Sequence, residues 1–268
     1  IIKVMFKTPE FWNRRGFLSI LLWPLSLIWN FATLLRKYLA KKSRTELPVI
    51  CVGNLTAGGT GKTPVTAFLY DRLIGDGYRP AILIRGYGAT VKSPLWVNPK
   101  QHTVADCGDE ALMLAESRAV LVAPDRVAGA KLIAFCGKHD VILMDDGMQN
   151  PFITKTFSVG IFDGNVGVGN GFLIPAGPLR VSLREGVKQM DVGLINGDDE
   201  TNVTNKMPKT MPLFTISLLP DKTIISKLGD TPVLAFAGIG QPKRFFATLR
   251  KAGFDLAHYL AFADHHQY

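Results

Sequence analysis

Eight consecutive residues, Thr56-Ala57-Gly58-Gly59-Thr60-Gly61-Lys62-Thr63, have the types and spacing that hold a phosphate chain. Gly58, Gly59 and Gly61 let backbone N–H groups turn inward onto phosphate oxygens. Lys62 can reach the β- and γ-phosphates of a nucleotide, and the Thr63 hydroxyl can hold Mg²⁺. The strict form of this loop opens with glycine, and Thr56 stands there instead. A glycine-lysine-threonine ending alone would say little, so the flanks decide. Pro48 to Gly53 reads Pro-Val-Ile-Cys-Val-Gly, a β-branched run suited to a buried strand. Beyond Pro64, Val65, Phe68, Leu69 and Leu73 recur at helical spacing, with Gly75 as the expected C-cap. Strand, glycine loop and helix together are the setting a P-loop needs. Partition-type ATPases carry a signature lysine where Ala57 stands, which counts against a dimerising switch of that kind.

ATP with Mg²⁺ asks for a second element, a carboxylate at the end of a neighbouring strand. Val141-Ile142-Leu143-Met144 reads as that strand and runs into Asp145-Asp146-Gly147. Asp145 and Asp146 are the candidate ligands of the metal or its waters. A capping pair before a turn at Gly147 is the structural alternative.

These groups must be positioned by a sheet. Further strand patterns cover residues 81–84, 120–123, 159–162, 192–195, 213–218 and 233–236, with helical or turn-rich segments between several of them. The alternation predicts an α/β fold, a P-loop NTPase-like, mostly parallel sheet with helices on both faces. A polar, proline-containing stretch near 197–230 reads as a softer boundary. The expected organisation is an N-terminal arm at 1–44, a P-loop core at 45–210, and a linker with the start of a smaller α/β lobe at 211–268.

The charge is unevenly placed. Of 268 residues, 31 are basic and 22 acidic, a net charge of +9. Nine of the basic residues and one acid lie in residues 1–44, so the remaining chain is nearly neutral. That distribution argues against a nucleic-acid groove and for an arm that meets an anionic surface. From Phe17 to Leu35 the arm is almost continuously apolar, a little short of the ~20 residues of a membrane span. At about 100° per residue, Ser19, Ser26, Asn30, Thr33, Lys37 and Lys41 share one narrow stripe. An apolar helix with one polar seam, flanking basic residues and Trp12, Trp23 and Trp29 fits a helix lying in the headgroup region. A buried core helix, a span and a signal peptide are the alternatives. Cys51, Cys107 and Cys136 show no paired spacing, which favours a reducing compartment.

Short motifs then line up along nearly the whole chain. They are Pro9-Glu10-Phe11-Trp12, Val52-Gly53-Asn54-Leu55-Thr56, Arg85-Gly86-Tyr87-Gly88, Gly108-Asp109-Glu110, Asp125-Arg126, Asp145-Asp146-Gly147-Met148-Gln149-Asn150, Pro175-Ala176-Gly177-Pro178-Leu179-Arg180, Ala237-Gly238-Ile239-Gly240 and Asp264-His265-His266. In this order the chain resembles the tetraacyldisaccharide 4′-kinase family of lipid A biosynthesis. That family also has threonine at the position of Thr56. The resemblance implies ATP-dependent phosphorylation of the 4′-hydroxyl of a tetraacylated disaccharide 1-phosphate, giving lipid IVA. It implies a glycolipid substrate and work at the cytoplasmic face of the inner membrane, peripheral or monotopic, with no nucleic acid and no obligate protein partner. The basic, apolar arm suits a substrate held in an anionic leaflet. Met148 and Asn150 stand where the family often carries phenylalanine and histidine. The family pattern runs on past Tyr268, which implies a truncated second lobe.

The resemblance also gives roles. Asp109 is the candidate base that takes the hydroxyl proton as the transition state forms. His265 is the candidate partner that orients it. Arg85, Arg126 and Arg180 are candidates for the triphosphate or the substrate 1-phosphate. Read without the resemblance, Asp109 equally opens a helix at Ala111 to Leu114, and His265 equally sits on the surface. The competing functions are a membrane-recruited P-loop ATPase switch without a lipid acceptor and a nucleotide-binding scaffold without chemistry.

Overall fold

A computed structural model describes residues 9–219, 231–239 and 242–262. The helices are α1 (Phe17–Leu39), α2 (Lys62–Gly75), α3 (Val104–Cys107), α4 (Asp109–Ala115), α5 (Arg126–Phe135), α6 (Leu183–Val187) and α7 (Pro242–Lys251). The strands are β1 (Val49–Gly53), β2 (Pro80–Ile84), β3 (Leu95–Trp96), β4 (Val120–Val122), β5 (Val141–Asp145), β6 (Phe157–Asp163), β7 (Val192–Asn196), β8 (Leu213–Ile216), β9 (Val233–Ala237) and β10 (Leu256–Ala261).

The chain divides into two compact units. The larger is Glu10–Ile216, and the smaller contains Ser217–Tyr268. The larger unit holds one eight-stranded sheet in the order β3-β4-β2-β5-β1-β6-β7-β8. Every pairing is parallel except that of the short edge strand β3 with β4. The sheet runs through β8, so Leu213–Ile216 belongs with the P-loop core. In the smaller unit β9 and β10 pair in parallel, and Phe246 of α7 is buried with Ala235 and Ala237 of β9.

Successive side chains of a strand face opposite sides of a sheet, and the central strands obey this on both faces. Ala81 and Leu83 of β2 join Ile142 and Met144 of β5 in one core, with Ala130 and Ile133 of α5. Ile82 and Ile84 join Leu143 in the other, with Tyr70 of α2 and Leu114 of α4. All five residues of β2 and of β5 are buried, as strands covered on both faces must be.

Two local expectations are corrected. Phe68, spaced as a core residue, is exposed on α2, and Thr66 and Tyr70 are buried instead. The left-handed residue that ends α2 is Gly77 at φ 87°, not Gly75. Its N–H donates to the Ile74 carbonyl and the Tyr78 N–H to the Leu73 carbonyl, a Schellman closure that needs positive φ at position 77.

The arm's polar seam is turned onto the body. Ser19 and Ser26 are buried, Trp29 donates to the Arg180 carbonyl at 3.0 Å, and Lys37 pairs with Glu185 at 3.6 Å. The rest of α1 stays bare, with Phe17 79%, Ile28 65% and Tyr38 86% exposed. Among the described residues α1 is one helix long and apolar enough to cross a membrane.

Candidate active site

The P-loop leaves β1 at Gly53 and enters α2 through Gly61, whose φ of 92° suits glycine alone. Three other elements clamp it. Asn196, at the end of β7, donates its Nδ2 to the Thr60 carbonyl at 3.0 Å. Gln149 donates its Nε2 to the Asn54 carbonyl at 2.6 Å. The Ala57 N–H donates to the Pro178 carbonyl at 2.8 Å. β5 is inserted between β1 and β2, with Val52 opposite Asp145 in register. The chain therefore brings the second carboxylate element to the strand end beside the loop. This is where open α/β sheets place their ligands.

The two aspartates are chemically different. Asp145 is 2% exposed. Its Oδ1 accepts from the Thr66 hydroxyl at 3.1 Å and from the Asp146 N–H at 3.0 Å, and its Oδ2 accepts from the Thr63 hydroxyl at 3.3 Å. Burial pushes its pKa up, against the pull of Lys62. Asp146 sits at φ 47°, a backbone position uncommon for a residue with a side chain. Lys62 Nζ lies 3.7 Å from its Oδ1, and Arg180 Nη1 donates to both carboxylate oxygens at 3.2 Å. Burial works against its charge, but Lys62 and Arg180 outweigh it and hold the carboxyl below the usual range.

The residues fit a nucleoside triphosphate with a divalent cation. Asn54 Oδ1 and Thr60 Oγ1 are buried without a hydrogen-bond partner among the described residues, and such orphans ask for a ligand or water. A Cβ built on Gly58 or Gly59 would meet nothing within 4 Å, so the loop's outer face is open. Among the described residues no three His, Cys, Asp or Glu side chains gather as a metal cage. A cation here would rest on Thr63, Asp145 and phosphate oxygens, the pattern magnesium takes at nucleotides.

The three arginines are placed apart in role. Arg126 is buried and donates to the Ala123 carbonyl at 3.4 Å and the Asp145 carbonyl at 3.3 Å. Burial lowers its pKa to about 10, which leaves it cationic at neutral pH. Arg180 reaches Asp146 and, at 3.4 Å, Gln149 Oε1. Arg85 is exposed just past the end of β2.

Asp109 opens α4, half-buried, with Oδ1 accepting the Glu110 N–H at 2.9 Å. The adjacent Glu110 Oε1 lies 3.5 Å from the Thr63 hydroxyl, which brings this turn to the P-loop. A small recess at the turn is lined by Ile84, Gly86, Tyr87, Cys107 and Gly108. His265 lies outside the described residues. Asn150 accepts the Phe152 N–H at 2.9 Å and so shapes its own turn, and Met148 is packed in the core.

Four residues of the site carried no assigned role in the sequence. Gln149 and Glu110 stood inside quoted motifs. Thr66 falls one helical turn after Thr63, a spacing that puts both hydroxyls on one face. Asn196 ends a strand just as Asp145 does. Position at a strand's C-terminal end was the available signal.

A family model described as tetraacyldisaccharide-1-P 4′-kinase matches residues 18–268. The tetraacyldisaccharide 4′-kinase of Rhodopseudomonas palustris (strain BisA53) is 44% identical over 266 residues, covering 98% of this chain and 77% of that protein. That of Rhodospirillum centenum is 42% identical over 267 residues, covering 98% of this chain and 79% of that protein. Among solved structures, LpxK from Aquifex aeolicus in complex with ATP superposes with a TM-score of 0.75 at 26% identity, covering 93% of this chain and 83% of that one. A nucleotide loop closed by strand-end carboxylates, an N-terminal apolar helix and a match in sequence along almost the whole length agree, and the chain belongs to the tetraacyldisaccharide-1-P 4′-kinase family.

Proposed function

We propose that this chain transfers the γ-phosphate of ATP to the 4′-hydroxyl of a tetraacyldisaccharide 1-phosphate, giving lipid IVA. The carrying observation is the Thr63–Asp145 contact beside Lys62 and Asp146, in a chain of this family. Lys62 and the loop amides hold the β- and γ-phosphate oxygens. Thr63 and Asp145 would hold Mg²⁺, which supplies charge neutralisation at the phosphates. Arg180 and Lys62 hold Asp146 ionised at the mouth of the site. Asp109 takes the proton of the acceptor hydroxyl as its oxygen bonds to the γ-phosphorus, while the bond to the β–γ bridging oxygen breaks and ADP leaves. The family resemblance gives His265, outside the described residues, as the partner of Asp109. Arg85, exposed at the rim, is the arginine free to meet an acceptor phosphate, whereas buried Arg126 supports the Asp145 carbonyl.

The test is phosphotransfer from labelled ATP to a tetraacyldisaccharide 1-phosphate. Label in the lipid, with little ATP hydrolysis when acceptor is omitted, is the expected result. Acceptor-independent hydrolysis at the same rate would return the chain to the ATPase-switch reading.

In this reading the enzyme works at a membrane surface, peripheral or monotopic, at the cytoplasmic face of the inner membrane, and the bare apolar arm supports it. The seam of α1 is used on the body and its apolar remainder is bare, the arrangement of a helix lying in the headgroup region. No nucleic acid or obligate protein partner enters this reading. Deleting the arm is a poor test, because it also removes hydrogen bonds to the Leu173–Arg180 segment. Ile28→Glu on the bare face is cleaner. It should reduce co-sedimentation with anionic vesicles and raise KM for the lipid acceptor, while ATP affinity measured without vesicles stays at the wild-type value. Full vesicle binding by this variant would sink the surface assignment.

A further inference from the structure

The segment from Leu173 to Arg180 is gripped from two sides. On the arm side, the buried Ser26 hydroxyl donates to the Leu173 carbonyl at 2.7 Å and accepts the Ala176 N–H at 3.2 Å. Trp12 Nε1 donates to the Pro175 carbonyl at 2.9 Å, and Trp29 Nε1 to the Arg180 carbonyl at 3.0 Å. On the other side, the Pro178 carbonyl accepts the Ala57 N–H and the Arg180 N–H donates to the Leu55 carbonyl, each at 2.8 Å. Arg180 thus touches three things at once: the apolar helix through its carbonyl, the start of the P-loop through its N–H, and Asp146 through its guanidinium.

We infer that this segment is a strap that couples the lipid-contacting helix to the nucleotide loop, with Trp29 as the positioning residue for Arg180. The inference rests on the proposed reading of the P-loop as the ATP site and of α1 as the membrane helix. The physical link is water. Trp29 is 40% exposed, so in solution water competes for the Arg180 carbonyl. A bilayer around α1 removes that water, and a hydrogen bond strengthens in the lower dielectric. The Arg180 backbone is then held more firmly, and with it the edge of the loop at Leu55 and Ala57. Coupling of this kind is reciprocal: whatever factor the bilayer adds to ATP affinity, ATP adds to bilayer affinity. One hydrogen bond between neutral groups limits that factor to about two- to tenfold.

The test uses the full chain, a fluorescent ATP analogue, and vesicles of phosphatidylethanolamine and phosphatidylglycerol in equal parts. Wild-type protein should bind the analogue about two- to tenfold more tightly with vesicles present. Trp29→Phe keeps an apolar ring for the lipid and deletes the N–H. It should co-sediment with vesicles and melt as the wild type does, yet lose the vesicle-dependent gain in affinity. At saturating lipid acceptor its kcat should fall while KM for the acceptor holds. A purely structural role would instead lower affinity equally with and without vesicles. Amide exchange is a second readout: vesicles should slow exchange of the Ala57 and Arg180 N–H groups in the wild type and not in Trp29→Phe. Vesicle binding that leaves wild-type ATP affinity unchanged overturns the strap, and so does a Trp29→Phe chain that keeps the full gain. A wild-type chain that binds the analogue but no vesicles overturns it together with the membrane reading and leaves the kinase reading standing.

Discussion

Lys62→Met should lower kcat by about 10²–10³-fold, the usual cost of losing one preorganised charged group facing the transition state. The side chain is only 13% exposed and stands 3.7 Å from Asp146 Oδ1 at the mouth of α2. It is the cation that offsets both strand-end carboxylates before any phosphate arrives. Methionine keeps the length and removes the charge, so packing should survive. The pH dependence of the folded chain gives a second readout. Lys62 and Arg180 hold the Asp146 carboxyl below the usual range against the opposing effect of burial. The stability this contributes is present above the unfolded-state pKa and is lost as pH falls through the lower folded-state value. Without Lys62 the folded-state value rises, so the acid limb of the stability curve moves to higher pH. Steady-state kinetics with the lipid acceptor and acid denaturation of the same variant check both effects. Near wild-type turnover would remove the P-loop reading altogether.

Asp109→Asn should lower kcat by about 10²–10⁴-fold with the ATP dissociation constant unchanged. Losing a nucleotide contact would instead appear mainly in binding. Asparagine keeps an oxygen that can accept the Glu110 N–H bond seen at 2.9 Å, so the opening turn of α4 should persist. On the proposed role, what is lost is the capacity to take the acceptor's proton. Single-turnover phosphotransfer at saturating ATP separates the two effects. If His265 acts through Asp109, the double variant with His265→Ala should be little slower than Asp109→Asn alone, because members of one unit are non-additive. Multiplying effects would place His265 on another group. Abolished ATP binding in Asp109→Asn would move this aspartate to the nucleotide site and make Asp145 or Asp146 the better base.

The sheet and the loop were legible in the sequence for local reasons. A strand covered on both faces is apolar nearly throughout, so β2 and β5 as far as Met144 read as unbroken runs, with Asp145 at the strand end the one polar exception. A phosphate loop needs glycines at fixed offsets before a helix, so Gly58 to Thr63 read as such a loop from spacing alone, and the loop does lie between β1 and α2. The polar stripe of α1 followed from its period alone. Short edge strand β3 left no such mark, because two residues carry no period.

Tertiary structure decided how these parts meet. Sequence placed Asp145 and Asp146 together, but only the backbone at φ 47° sends one to Thr63 and Thr66 and the other to Lys62 and Arg180. Sequence grouped three arginines, and burial set Arg126 inside and left Arg85 outside. Phe68 kept the helical period yet faces solvent, because a period fixes which residues share a face and not which face is covered. The seam of α1 was legible as polar, but the partner of Ser26 lay about 150 residues away at Leu173, as did that of Trp29, outside the seam, at Arg180. Hydrogen bonds between residues so distant in sequence leave no local period, and only the folded chain brings their donors and acceptors into reach.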